Sequence, residues 1–422
     1  MDLYAELGIE RGATPDEIKR AYRRESLKRH PDRGGNTEDF QRLQIAHEIL
    51  SDPARRAEYD ATGQIPGAAE GPGGGGGMPF TLMDAYANPQ HAQALMLSRE
   101  GTINPLDVSG HAPRQQAPAQ MLWRWEPWVR QSLAVHELLS PLVFPDMNAA
   151  EWAPSGFRMT WRNGGTLLSL QRPAPALFEA EIAQVLRCAE LREDRSQEIL
   201  TQIDGQWAHW ASLVPMRPDL TPRTFEVLNV ALQWAIAVEL RFKHELACWR
   251  PADYCAQVQP MVTTPGHGTF PMGHAVQCFL MAGLLQALTH AEEGSPLAVQ
   301  LHRSAFRMSF NRIVAGLHFP VDLAAGMVLG HVLTRCALAL AAPTPQRFAP
   351  RPLVFSVASY QALGPIGGWP TAAEVCRRLE VPLPQAIGAT VTGGPAVWSA
   401  LWAAAQQEWA HRATPSQPRQ GS

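Results

Sequence analysis

The stretch NRIVAGLHFPVD, Asn311 to Asp322, sets Arg312, His318 and Asp322 at the start of a long apolar run, with Pro320 placed as the first residue of a helix. Two earlier stretches belong with it: KHELACWRP, Lys243 to Pro251, and PGHGTFPMGHA, Pro265 to Ala275. Together they bring Lys243, Arg250 and Arg312, with His267, His274 and His318, into apolar, tryptophan-rich surroundings. Cations there are costly unless an anion receives them, so the three stretches are expected to converge on a pocket for a tetrahedral oxyanion.

Outward from these stretches the sequence reads as mostly helical: Met121 to Leu139, Leu177 to Ile203, Arg223 to Ala247, His274 to His290, and the segment after Pro320. FRMTWRNGGTLLSLQ, Phe157 to Gln171, instead alternates apolar and polar residues around Asn163-Gly164-Gly165, which predicts a hairpin. Trp398, Trp402, Ala405 and Trp409 fall on one helical face and read as a packing stripe.

The 422 residues exceed what one core supports, about 250–300 residues, so more than one domain is expected. Apolar residues make up 45% and charged residues 18%, which is globular rather than disordered composition. A net charge of −3 argues against a general nucleic-acid binder. The six cysteines form neither C-x-x-C pairs nor a dense disulfide spacing, and read as reduced thiols in a cytoplasmic protein. MDLYAELGIERGATPDE lacks the basic and apolar regions of a secretory signal. Leu323 to Ala342 has the length of a membrane span, about 20 residues. His331 and Arg335 inside it favour a buried bundle helix over a span.

All thirteen tryptophans lie between Trp123 and Trp409, so composition changes abruptly after the first 62 residues. Between the two regions runs GQIPGAAEGPGGGGGMPF, whose glycines hold no regular structure. The expected division is residues 1–62 as a small helical module, 63–116 as linker and extended arm, and 117–345 as a helical domain. A C-terminal helical extension over 346–411 and a disordered tail over 412–422 complete it. The fold class is mainly α: a small module, a flexible Gly-rich linker and a large helical bundle with a short β-hairpin.

In the first module, Thr14-Pro15-Asp16-Glu17 is a capping box with proline at the first helical position, opening a helix towards His30. Lys19, Arg20, Arg23, Arg24, Lys28 and Arg29 stud it, while Ile18, Ala21 and Tyr22 share the other face. HPDRGGN is then a loop, and a second helix follows from Thr37. Residues 1–62 resemble the J domain of the DnaJ family. The resemblance rests on Tyr4, Leu7 and Gly8, on Glu17-Ile18-Lys19 and Ala21-Tyr22-Arg23, on His30-Pro31-Asp32, and on ILSDPARRAEYD from Ile49 to Asp60. It implies that Lys19, Arg23 and Arg24 dock on an acidic surface of a 70-kDa heat-shock chaperone, and that His30, Pro31 and Asp32 trigger ATP hydrolysis by that partner. Glu25 and Arg29 depart from the family pattern and are expected at the helix surface.

Lys243 stands before Arg250-Pro251 as in Lys-x6-Arg-Pro, Pro271-Met272-Gly273-His274 stands for Pro-Ser-Gly-His, and Arg312, His318 and Asp322 follow Arg-x5-His-x3-Asp. In these three ordered motifs the larger domain resembles the vanadium-dependent haloperoxidases and the related type-2 phosphatidic acid phosphatases. Guanidinium forks at Arg250 and Arg312 suit oxyanion oxygens, with Lys243 as a point charge. Helix N-termini near His274 and Pro320 add N–H groups, and Gly273 allows close backbone approach.

The resemblance implies that His318 bonds the central atom, either as the ligand of vanadium in a bound vanadate or as a phosphorylated nucleophile. His274 would be the acid/base and Asp322 would orient a histidine. Trp249, His267, Phe270 and Met272 would wall the pocket and select halide or small-molecule substrate. Met272 replaces the family's serine, removing a hydroxyl donor of a kind worth about 2.7–4 kcal/mol in a transition state. The expected activity is therefore halide oxidation by peroxide with vanadate as cofactor. The alternatives are a phosphohistidine phosphatase without cofactor, or an anion- or client-binding domain with only co-chaperone activity.

Overall fold

The computed structural model describes residues 2–29, 43, 46–47, 49–51, 56, 59–60, 97, 121–144, 155–162, 165–203, 206–342, 347–348, 353–364, 389–390 and 396–410. They divide into two compact units, Met1–Asn104 and Pro105–Ser422. The loop carrying His30, Pro31 and Asp32 lies outside the described residues, as do Asn163 and Gly164 of the hairpin turn and the tail over 412–422. So does the linker over 63–116, apart from Leu97.

In the first unit, α1 (Leu3–Leu7) starts on Asp2, whose side chain accepts from the N–H groups of Tyr4 and Ala5, and ends on Gly8 in the left-handed region. Helix α2 (Pro15–Arg29) opens on the expected capping box: the Glu17 N–H donates to Thr14 Oγ1, and Glu17 Oε2 accepts from the Thr14 N–H. Leu3, Tyr4 and Leu7 meet Ile18 and Ala21 of α2 and Leu43, Ala46, Ile49, Leu50 and Tyr59 in one apolar core. Glu25 lies on the partly exposed face of α2. Its side chain is only 14% exposed and is held by Arg24 and Lys28.

The second unit is a helical bundle flanked by a sheet. Where one helix was expected from Met121, a short 3-10 turn at Leu122–Arg124 precedes α3 (Pro127–Leu139), because Pro127 fixes the helix start. The helix expected from Leu177 to Ile203 is likewise two, α4 (Pro175–Cys188) and α5 (Arg192–Thr201), separated by a 3-10 turn. After α6 (Trp207–Ala211) comes the long α7 (Pro222–Leu246), which ends on Ala247 in the left-handed region, and then the single turn α8 (Pro251–Tyr254). Helix α9 (Gly273–Leu288) is followed by α10 (Pro296–Val314), which was absent from the expected elements although Ser295 caps it and Pro296 opens it. Helix α11 (Pro320–Ala341) then crosses the core.

Strands β1 (Leu142–Val143), β2 (Gly156–Trp161) and β3 (Thr166–Gln171) run antiparallel, so the expected hairpin is present but belongs to a larger sheet. Past β4 (Arg347–Phe348), β5 (Leu353–Phe355) joins β3 in parallel, pairing Leu168 with Leu353. A short α12 (Val357–Gln361) follows β5. Further on, β6 (Ala389–Thr390) pairs with β4. The last helix, α13 (Ala396–Ala410), buries Trp398, Trp402, Ala405 and Trp409 against the bundle. Carboxylates cap both ends of this packing: Glu137 accepts from the N–H groups of Val397 and Trp398, and Glu408 from those of Arg223 and Thr224.

Helix α11 is long and apolar enough to cross a membrane, by length and composition alone, and most of it is buried inside the protein. It lies very close to α9 because Gly326 and Gly330 carry no side chain. A Cβ at Gly326 would stand 2.6 Å from the Met272 carbonyl, and one at Gly330 would stand 2.7 Å from that of Val276. This contact sets the N-terminus of α11 beside that of α9, where the Met272 N–H donates to the Asp322 carbonyl.

Candidate functional site

Three buried cations sit at the ends of these helices. Lys243 is on the last turn of α7, Arg250 precedes α8, and Arg312 is on the last turn of α10; their exposures are 1%, 3% and 1%. Arg172, just after β3, fixes the first of these ends by donating to the carbonyls of Leu246 and Ala247.

Lys243 Nζ donates to the carbonyls of Gly268 and Thr269, each at 3.1 Å. Arg250 donates to the His267 and Leu317 carbonyls, to His267 Nδ1 at 3.2 Å and to His318 Nε2 at 3.3 Å. On the other face of the His318 ring, Nδ1 lies 3.1 Å from Asp322 Oδ2 and 3.0 Å from Thr269 Oγ1. The Thr269 hydroxyl donates to the same Asp322 oxygen, which also accepts the Phe319 N–H at 2.8 Å. This network assigns the ring proton to Nδ1 and leaves the lone pair of Nε2 directed at Arg250.

Burial lowers the His318 pKa well below the usual histidine range, and the charges of Lys243 and Arg250 push the same way, so the ring is neutral. Burial also raises Asp322 to about 6, against the pull of its hydrogen bonds from Thr269 and Phe319. Its second oxygen, Oδ1, has no partner among the described residues.

Arg312 and His274 form a second cluster. Arg312 Nη2 donates to the Ile199 carbonyl at 2.9 Å and to Gln202 Oε1 at 3.2 Å, while its buried Nε has no acceptor among the described residues. His274, the second residue of α9, lies 3.1 Å from the Gln202 carbonyl through Nε2, which assigns its proton there and leaves Nδ1 as the base. Burial, aided by Arg312, depresses His274 to about 4. The two clusters lie within electrostatic reach of each other: the charges of Lys243 and Arg250 also act on His274, and His274 acts on His318.

The expected wall residues divide. His267 touches Arg250 but is otherwise exposed. Trp249 is 66% exposed and therefore walls no buried pocket, because it sits on the turn outside α7 with no apolar layer above it. Phe270 packs on Phe355 of the sheet, and Met272 joins the apolar core without capping α9, so both serve packing. Gly273 is needed for a different neighbour than expected: a Cβ there would stand 2.3 Å from Glu239 Oε1.

Thr269, Gln202, Glu239 and Arg192 were not legible as site residues. Arg192 donates to the carbonyls of Val314, Gln259 and Val258, and its Nη2 would lie 2.7 Å from a Cβ on Gly316, whose positive φ turns the chain towards His318. The five described cysteines are free thiols. No cluster of His, Cys, Asp or Glu suited to a metal ion occurs among the described residues.

Comparison with known proteins bears on the first unit. A family model for the DnaJ domain matches residues 2–60. The chain is 44% identical over 85 residues to DnaJ protein homolog 2 of Allium porrum, across 20% of each chain. It is 38% identical over 115 residues to Chaperone protein dnaJ 2 of Arabidopsis thaliana, across 25% of this chain and 27% of that one. It is 48% identical over 83 residues to Chaperone protein DnaJ of Leifsonia xyli subsp. xyli, across 19% and 21%. The matched region thus spans between 20% and 27% of the length of these relatives. Residues 2–60, with their capped helices, shared core and exposed basic stripe, are a J domain.

Proposed function

We propose that this protein is a J-domain co-chaperone whose second unit binds a tetrahedral oxyanion and acts on it through His318. The J domain recruits a 70-kDa heat-shock chaperone through Lys19, Arg23 and Arg24 and the loop His30-Pro31-Asp32. All three basic side chains are exposed on α2, as electrostatic docking requires.

For the second unit, the observation that carries the reading is a neutral His318 held at Nδ1 by Asp322 and Thr269, with Nε2 beside Arg250 Nη1 and the buried charges of Lys243 and Arg250 acting on the ring. Among the described residues none of the Lys243, Arg250 and Arg312 side chains donates a hydrogen bond to a carboxylate, and the orphaned Nε of Arg312 fits an anion's oxygen. Vanadate fits this donor set: His318 Nε2 would hold the vanadium, and Arg250, Arg312 and Lys243 the oxygens. When bound, vanadate supplies the activation of peroxide for halide oxidation. The protein's own residues orient the anion, neutralise it, and keep His274 as an unprotonated base at neutral pH.

Phosphatase chemistry is the second reading, favoured by that same basic His274. The lone pair at His318 Nε2 can bond phosphorus as the P–O ester bond breaks, the leaving alkoxide taking the proton carried by the monoanionic phosphoester. Nδ1 of His274 can then take a proton from the water that attacks phosphorus and pass it to the released phosphate, as the P–N bond breaks and returns its electron pair to Nε2. Full-length protein is assayed with vanadate, peroxide and bromide, and separately with a chromogenic phosphomonoester. Halogenation supports the first reading and vanadate-inhibited phosphate release the second. Absence of both leaves the co-chaperone activity alone. His318→Ala should abolish either turnover, and turnover that survives it overturns the assignment.

A further inference from the structure

Glu239 stands on α7 one turn before Lys243, on the same helical face, and is 4% exposed. Its carboxyl lies directly on the bare Cα of Gly273, the first residue of α9. An ionised carboxylate offers about four acceptor sites. Among the described residues Glu239 meets one hydrogen-bond donor, Gln277 Nε2, at 3.2 Å and 3.4 Å from its two oxygens. It is therefore poorly satisfied as an anion and sits against the first residue of α9. The side chain at the N-cap of that helix, Met272, supplies no hydrogen-bond donor.

We propose that Glu239, in its protonated form, is a hydrogen-bond donor that completes the oxyanion site at the N-terminus of α9, where the Met272 side chain supplies none. The proposal rests on the oxyanion reading of the pocket. Two negative groups side by side in a buried site cannot both stay ionised, so an anion seated on the N-terminus of α9 drives a proton onto the carboxyl. The carboxylic acid then donates its O–H to the anion. Glycine at 273 is what lets the carboxyl reach that position.

The groups facing Glu239 are Lys243 from its own helix and, from α9, the neutral Gln277 and the thiol of Cys278. Burial raises its pKa and Lys243 draws it back. His274, depressed to about 4, and His318, held well below the usual histidine range, do not change charge where this carboxyl titrates, but Asp322, raised to about 6, does.

The test is the affinity of full-length protein for sulfate, a tetrahedral dianion of constant charge, measured by titration calorimetry between about pH 5.5 and about 7.5. Wild-type affinity should fall as pH rises. Glu239→Gln, which keeps an N–H donor at every pH, should make the profile shallower, leaving only the part due to Asp322. Glu239→Ala and Gly273→Ala, which remove or displace the carboxyl, should weaken binding about tenfold at the acid end, the loss expected for one hydrogen bond. Circular dichroism checks that each variant folds. A Glu239→Gln variant that keeps the wild-type slope overturns the proposal and shows a mere counter-ion to Lys243. Flat wild-type binding overturns it while sparing the pocket. Failure of wild-type protein to bind sulfate at any pH overturns the oxyanion reading itself, and the role of Glu239 with it.

Discussion

On α2 the side chains of Lys19, Arg20, Arg23, Arg24 and Lys28 stand in solvent, whereas Lys243, Arg250 and Arg312 of the second unit are at most 3% exposed. The first set costs the fold nothing, because water already satisfies it, and its field reaches out to a partner subject to salt screening. Desolvation of the second set is met only in part by main-chain carbonyls and side-chain acceptors. Burial lowers Arg312 to about 10, against the pull of Cys278 and Glu198. Exposed cations thus act at a distance at little structural cost, whereas the buried ones carry a desolvation cost that a bound anion would offset.

Arg312→Met is the strongest way to break this contrast. It should lower sulfate affinity by at least 100-fold, about 3 kcal/mol, the order measured when one partner of a buried charge pair is removed. In the free protein the same change should leave the urea unfolding midpoint unchanged or raise it, since an under-compensated buried charge is replaced by an apolar side chain. Loss of stability together with full anion affinity would make Arg312 a structural group.

Glu181 extends the comparison to a buried acid. Its carboxyl accepts the Val321 N–H at the start of α11 and the hydroxyl of Tyr360, yet burial raises it to about 7. A carboxyl with a raised folded pKa binds more protons in the folded than in the unfolded state, so its contribution is greatest below its unfolded value and is lost as pH rises towards 7. The stability of wild type relative to Glu181→Gln should therefore fall by about 3 kcal/mol between about pH 4.5 and 7, read from urea midpoints.

The exposed set makes the opposite prediction. Lys19→Glu with Arg23→Glu should cut stimulation of the chaperone's ATP hydrolysis about tenfold at low salt, with the difference shrinking as salt rises. Thermal stability should not change, since neither side chain makes a buried contact. A fall in stability instead would mean that the stripe holds the module together.

How much of this was legible follows the range of the interactions. Local chemistry was readable: the antiparallel pairing of β2 with β3, the span of α7, and the tryptophan stripe of α13 follow from nearby residues. The motif spacings named Lys243, Arg250, His318 and Asp322, which the fold brings into one hydrogen-bonded cluster with Thr269. The rest depends on partners far along the chain. Gln202 reads as an ordinary polar residue ending a helix until Arg312 and His274 are set against it. Glu239 looks like one more polar position on α7 until Gly273 arrives above it. Strand β5 pairs in parallel with β3 across most of the second unit, so no short-range signal announces it. The breaks at Pro127 and at residues 189–191 were missed because apolar periodicity runs through them.

The smallest effect tests the most local reading. Thr14 closes the capping box of α2 with its own N–H and hydroxyl, both donating to Glu17 Oε2, at 2.7 Å and 2.8 Å. Thr14→Ala removes the hydroxyl and with it the acceptor for the Glu17 N–H. It should cost the J domain about 1 kcal/mol, the usual loss at an N-cap. Because the basic face of α2 is untouched, stimulation of the chaperone at low temperature should be normal and should fail only as the helix frays on heating. Thr14→Asp, which restores a capping oxygen, should recover the loss; if it does not, the box is incidental and α2 is held by the packing of Ile18 and Ala21 alone.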